Sequence, residues 1–483
     1  MKHRMKHRIR TTFVALALLA PASLIAQGTT LDRTKAPPVG PTPSFKAPSW
    51  SVDTLSNGAR LVVVERHSLP IVTFSIHFNG GTNQLGTKEG VSQFIGAMMR
   101  EGTATRTADQ LTNQLALLGT NVSFNIGEES GSAGFSSLSR TFDATLSIMM
   151  DMMRHSTFPA PALERLRTQA LAAYTRGQDV VGVVAAQVAP KLLYGDQPYG
   201  KVVDAADLHA VTRDNVADLA QEFFEPANAT VYVVGDMTRA AAKAKLEKAF
   251  ASWPAGGHKL EISYPAAPAP GPTTIYLVDM PNKPQSQIML ARTIPPAFSP
   301  DMAKIDVMDA ILGGMFQSRL NSTIREQHGW SYGFNSRTLW LKGPGSERAQ
   351  GAVTREKTDS SLMEAMTQIR GMTGPIPITD AELTAARNSL TLSLPSSLQS
   401  NAGTESIVSQ IVDNNLPKNW WSDYITAVRG TSAADVAAMT SEYMNPDHLT
   451  ILIVGDGSKI TAGVKATAIA PVVELDKTGQ KLP

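Results

Sequence analysis

Arg325 and Tyr332, seven positions apart, are of residue types that can do polar chemistry. A guanidinium presents fixed N–H donors to carbonyl or carboxylate oxygens, and a phenol O–H about 3 Å from a developing oxyanion is worth about 2.7–4 kcal/mol. On spacing alone the two read more simply, as a surface ion-pair residue and a core aromatic. Other chemistries find little support. Of the nine histidines, the seven beyond the first ten residues form no His-x-His, His-x-x-His or His-x-x-x-His pair, and there is no cysteine to supply a thiolate or a disulfide. His67 and His77 are close enough in sequence to meet across neighbouring strands, yet they read as structural histidines. No Gly-x-Ser-x-Gly elbow, P-loop or Gly-x-Gly-x-x-Gly fingerprint occurs, and Gly80-Gly81 and Gly313-Gly314 suit turns or close packing.

The elements that must position such residues are legible in outline. At 483 residues the chain is long enough for about two to four domains, and 42% hydrophobic with 18% charged residues is a globular composition. With 44 basic against 42 acidic residues and no basic run after the N-terminus, nucleic acid is not an expected partner. Residues 1–28 read as an export signal, with a basic start through Arg10, an apolar run Phe13 to Ile25 and small residues at Ala26-Gln27-Gly28. No later segment reaches about 18 uninterrupted apolar residues, so the mature chain carries no expected membrane span. The expected location is the periplasm or the exterior, which the absence of cysteine suits.

A Pro-rich leader occupies 29–50, and a second Pro/Ala/Gly stretch at 254–273 divides the remainder into lobes at 51–253 and 274–460, with a tail at 461–483. The lobes resemble each other. Glu222 to Asp236 aligns without gaps on Glu442 to Asp456, an offset of 220 that also superposes the prospective helix caps Thr212 and Ser432. Strands are expected at 60–65, 71–78 and 230–234 in the first lobe and at 274–278 and 287–291 in the second, with helices such as 144–153 and 163–174 between them. The class is therefore α+β: two homologous lobes, each an antiparallel-rich sheet backed by helices. The stripe Met149, Met150, Met152 and Met153 reads as core packing.

Gly90-Val91-Ser92-Gln93-Phe94-Ile95-Gly96-Ala97-Met98, followed by Gly102-Thr103, resembles the zinc-binding helix of the insulinase and mitochondrial-processing-peptidase (M16) family. That family carries His-x-x-Glu-His there, two zinc ligands and a general base on one helix. Here the ligand places hold Gln93 and Ala97, and the base place holds Gly96. The segment Leu163 to Tyr174 resembles the family's second helix, whose glutamate is the third ligand; its place holds Ala173. Ser318-Arg319-Leu320 through Tyr332 is similar to the family segment that completes the active site from the other half, and Arg325 and Tyr332 keep its spacing. What the resemblance implies is a subunit with no zinc of its own and inactive alone. It would pair with a homologous M16 subunit that bears His-x-x-Glu-His and the zinc, close the peptide chamber and lend Arg325 and Tyr332 to bound peptide. The alternative is a non-enzymatic structural or peptide-binding scaffold, like the core subunits of the respiratory bc1 complex.

Overall fold

The computed structural model describes residues 45–86, 89–257 and 259–482; the expected export signal and most of the leader lie outside them. The strands form two six-stranded sheets. In the first, β1 (Ser51–Thr54), β2 (Arg60–Glu65), β3 (Ile71–Asn79), β4 (Val122–Ile126), β5 (Ser130–Leu138) and β6 (Ala229–Gly235) lie in the order β1-β2-β6-β3-β5-β4. In the second, β7 (Thr274–Asp279), β8 (Gln285–Ile294), β9 (Ser331–Leu339), β10 (Gly345–Thr354), β11 (Thr450–Gly455) and β12 (Val472–Leu475) lie in the order β12-β7-β11-β8-β10-β9. The sheets are mixed and mainly antiparallel, with β2 and β6 parallel in the first and β7 parallel to both β11 and β12 in the second. The fold is thus the expected α+β pair of helix-backed sheets.

Helices connect the strands, among them α1 (Ser92–Met98), α2 (Phe142–His155), α3 (Ala160–Gly177), α4 (Val181–Tyr194) and α5 (Arg213–Phe223) in the first half. The second half includes α6 (Asp380–Leu392), α7 (Asn401–Asp413) and α8 (Ala433–Tyr443). Thr212 and Ser432 cap α5 and α8. Their hydroxyls accept the N–H of Asn215 and Asp435, and those side chains accept the cap N–H in return, a reciprocal arrangement that satisfies two otherwise orphaned donors at each helix start. The four methionines of α2 are buried in the first core.

The residues after 460, expected as a tail, extend the second half instead. Gly457–Ala466 forms a helix and β12 pairs with β7, Val472 opposite Ile275. Its Val-Val-Glu-Leu sequence suits a half-covered edge, which composition near a chain end did not advertise.

Strand β6 is buried along its whole length and β11 nearly so, which requires cover on both faces of each sheet. The second cover comes from the opposite half. Helix α4 lies on the second sheet, where Val184, Val188 and Leu193 pack with Met289, Leu452 and Val454. Helix α7, which starts 220 positions after α4 as the repeat does, lies on the first sheet, where Val408 and Val412 pack with Val62, Val64 and Val234. Each fully buried side chain of this size contributes about 1.5–3 kcal/mol, so the exchanged helices fasten the halves together.

The α7 side of this exchange is also polar. His77 on β3 donates through Nδ1 to Asp413 at 2.8 Å and lies 3.3 Å through Nε2 from Glu405; Tyr232 donates to Asp413 at 2.5 Å, and Ser75 to Glu405 at 2.5 Å. Burial opposes a charge on His77, but the hydrogen bonds and charges of Asp413 and Glu405 outweigh it and raise its pKa to about 9. His67 does not approach His77; it pairs with Asp236 and Glu65.

Candidate functional site

Helix α1 buries Phe94, Ile95 and Met98 and leaves Gln93 exposed, with Gly96 and Ala97 half-buried. Its neighbours are the edge strand β4 and helix α3, on which Ala173 is exposed. The contact with β4 is close. A Cβ on Gly96 would lie 2.5 Å from the carbonyl oxygen of Phe124, against the 3.4–4 Å of ordinary contact, and that obstacle is backbone. No side chain of any kind fits at position 96 unless helix and strand separate. Of Gln93, Gly96, Ala97 and Ala173, only Gln93 has a side-chain atom able to touch a cation, an amide oxygen. Zinc sites use about three imidazole, thiolate or carboxylate donors, so these residues do not fit the metal.

Arg325 and Tyr332 sit on opposite sides of a tight reversal. The segment Asn321–Gln327 is a wide π-helical turn, closed by Gly329 at φ +65°, where the Gly329 N–H reaches the Arg325 carbonyl (2.9 Å) and the Trp330 N–H that of Ile324 (3.0 Å). A left-handed residue is needed here, and glycine takes it without strain. Tyr332 then opens β9, the edge strand of its sheet.

Tyr332 is not the core aromatic that spacing alone suggests. It is 93% exposed, and its hydroxyl makes no hydrogen bond among the described residues. Arg325 does behave as a surface ion-pair residue, with Nε 3.1 Å from Glu326, while its guanidinium lies 4.8 Å above the ring of Phe316, itself 62% exposed. Beside them His328 stacks flat on Trp330 at 3.9 Å. The result is an aromatic and cationic ridge along a free sheet edge.

Upstream on the same segment Arg319 ties it to α6, a role the sequence did not announce. It is 7% exposed and grips Glu382 of α6 with two bonds, Nε–Oε1 at 2.6 Å and Nη2–Oε2 at 2.9 Å, while donating to the carbonyls of Ile376 and Pro377. Glu382 also closes the cap of α6 with Thr379. The Thr-x-x-Glu spacing was a readable cap signal, but its second partner, 63 residues upstream, was not.

Residues 60–192 match the family model for insulinase, peptidase family M16, and residues 210–390 match that for the peptidase M16 inactive domain. This chain belongs to the peptidase M16 family. It is 23% identical over 333 residues to an uncharacterized zinc protease of Rickettsia felis, covering 67% of this chain and 78% of that one. It is 24% identical over 299 residues to a Helicobacter pylori protein named non-peptidase homolog YmxG, covering 59% and 67%. Among solved structures, a peptidase M16 inactive domain from Pseudomonas fluorescens superposes with a TM-score of 0.77 at 24% identity, over 84% of this chain and 98% of that one. The periplasmic protease PqqL from Escherichia coli gives 0.69 at 16% identity, over 87% and 47%. The chain is an M16 member of the inactive type.

This M16 chain also gathers three carboxyl groups, one buried and two half-buried, that sequence reading passed over. Asp306 and Asp309 share one face of the helix Met302–Asp309, and Glu347 on β10 is fully buried nearby. Tyr424 and Trp340 donate to Asp306 at 2.6 and 2.8 Å, Ser336 to Asp309 at 2.5 Å, and Thr338 to Glu347 at 2.6 Å. Burial raises all three, Asp306 to about 6, and the charge of Asp309 pushes Glu347 further, well above the ordinary carboxylate range. Burial and the neighbouring charge of Asp309 both favour the protonated form of Glu347, and the group ties helix to sheet. Among the described residues no set of three His, Cys, Asp or Glu side chains is placed to hold a metal ion.

Proposed function

We propose that this chain is the zinc-free subunit of an exported, heterodimeric M16 metallopeptidase, built of duplicated lobes at 51–253 and 274–460. The partner is a homologous M16 chain that carries His-x-x-Glu-His and the zinc, and the substrates are peptides. The observation that carries the reading is the state of Tyr332: a phenol 93% exposed on an edge strand, with no task inside its own chain. In the partner's chamber its O–H would donate to the oxyanion formed when a peptide carbonyl is attacked, and Arg325 would hold neighbouring substrate carbonyls. The α1 helix, sealed against β4 at Gly96, would serve as a wall of the chamber. The apparent export signal supports a periplasmic or secreted location, as does the fold shared with the periplasmic PqqL.

A second reading, a non-enzymatic scaffold or peptide holder, is favoured by the pairing of Arg325 with Glu326 and by the relative named a non-peptidase homolog. Purification of the chain from its native source, with mass spectrometry of what accompanies it, separates the two. The subunit reading expects a zinc-bearing M16 chain and peptide cleavage by the pair that neither chain shows alone. Recovery of the chain without such a partner, or a pair with no cleavage, favours the scaffold.

A further inference from the structure

A cleft of about 590 Å³ opens where β2, β3, β5 and β6 of the first sheet meet the end of α7 and the β9–β10 turn. Its charges are lopsided. Arg60, His77, Lys259 and Lys342 line it, against Asp413 alone among carboxylates. His77 and Asp413 satisfy each other at 2.8 Å, and Arg60 is held by neutral oxygens, those of Val412 and Thr230, each at 3.2 Å. Three cations in one cleft therefore have no carboxylate in ion-pair contact, in a chain whose formal net charge is only +2.

Lys342 is the informative one. Its ammonium makes one hydrogen bond, to the neutral amide oxygen of Asn79 at 2.8 Å, and no carboxylate among the described residues lies within ion-pair distance. An ammonium drawn partly out of water without a contacting carboxylate is costly, and burial lowers the proton affinity of this one by more than the more distant charges of Asp413 and Glu129 restore. The side-chain amides of Asn125, Gln410 and Asn415 complete the lining, so donors for several acceptor oxygens converge where the charge is unbalanced.

We propose that this cleft binds an oxyanion, a carboxylate or phosphate carried by a small polar molecule or by an acidic peptide segment, with Lys342 as its main counter-charge and Lys259 and Arg60 beside it. The site faces the seam between the halves of one chain and needs neither zinc nor a partner subunit, so it stands apart from the peptidase reading. The test is isothermal titration calorimetry on the mature chain at pH 7 and low salt, with inorganic phosphate, citrate and a tetraglutamate peptide as probes. At least one probe binds. Lys342→Gln weakens it about tenfold or more, Lys259→Gln weakens it less, and Lys245→Gln, remote and already paired with Asp143, leaves it unchanged. Tighter binding of citrate or phosphate identifies a small molecule, and tighter binding of tetraglutamate identifies an acidic segment. Failure of all three probes overturns the proposal, as does unchanged affinity in Lys342→Gln. If Lys342→Gln does not fold, Lys259→Gln decides, because Lys259 is exposed and its affinity loss is required by the same charge argument.

Discussion

Replacing Gly96 by alanine tests whether the close contact between α1 and β4 excludes a side chain at this position. In an unobstructed helix interior, glycine to alanine gains roughly 1 kcal/mol, because alanine has less chain entropy to lose. Here the new Cβ meets the Phe124 carbonyl at 2.5 Å, and an oxygen fixed in an edge strand cannot rotate away as a side chain would. Forcing an extra carbon into a packed contact costs about 1–3 kcal/mol, so the two effects together leave Gly96→Ala destabilised by roughly 0–2 kcal/mol. The difference from an ordinary helical glycine is largest in sign. Urea unfolding of Gly96→Ala, with the slope of the transition unchanged, reads it directly as a lower or equal midpoint. Gly430, the last residue of a helix, where an added methyl carbon would meet no neighbour within 4 Å, serves as the comparison for an unobstructed site. A Gly96→Ala midpoint raised by the equivalent of about 1 kcal/mol would refute the reasoning.

Further outcomes follow from the buried charges. His77 has a folded pKa of about 9, above its unfolded value, so its contribution is complete below about pH 6.5 and is lost as pH rises through 9; thermal unfolding from pH 6 to 10 shows that decline, at most about 3 kcal/mol, and His77→Gln flattens it. Asp306 and Glu347 are also raised, so the folded state keeps protons the unfolded chain releases, and stability falls as pH rises from about 4 through 6 and beyond. Glu347→Gln cannot ionise, and at pH 8 it unfolds at a higher temperature than the unaltered chain, whereas an equal or lower temperature would deny the protonated pair. Arg319→Ala leaves Glu382 without its bidentate partner and costs about 3–5 kcal/mol in denaturant unfolding; Arg319→Lys, which cannot make the fork, recovers only part of it.

What could be read from the sequence was what neighbours along the chain decide. The caps at Thr212 and Ser432, the stop at Gly329, the buried run Val231-Tyr232-Val233-Val234 and the methionine stripe all follow from spacings of a few residues. The repeat offset of 220 gave the duplication, yet not that α4 and α7 change places to cover each other's sheets, because amphipathic spacing names a buried face without naming what buries it. The partners of His77 lie 336 and 328 residues away, and those of Glu347 depend on β9 and a helix folding against it. A glutamate inside a strand reads locally as a solvent-facing residue. That the Lys342 ammonium contacts Asn79 and no carboxylate was invisible for the same reason: such a contact is a property of the assembled seam.

The subunit reading is tested most directly by reconstituting the chain with its zinc-bearing partner and following cleavage of a fluorogenic peptide. With the unaltered chain the pair cleaves. Tyr332→Phe removes one hydroxyl from a 93% exposed ring, so the fold and the pairing persist while kcat falls by about 10²–10³, and Arg325→Ala lowers kcat/KM as well. If both variants support cleavage at the unaltered rate, Arg325 and Tyr332 are no part of the active site.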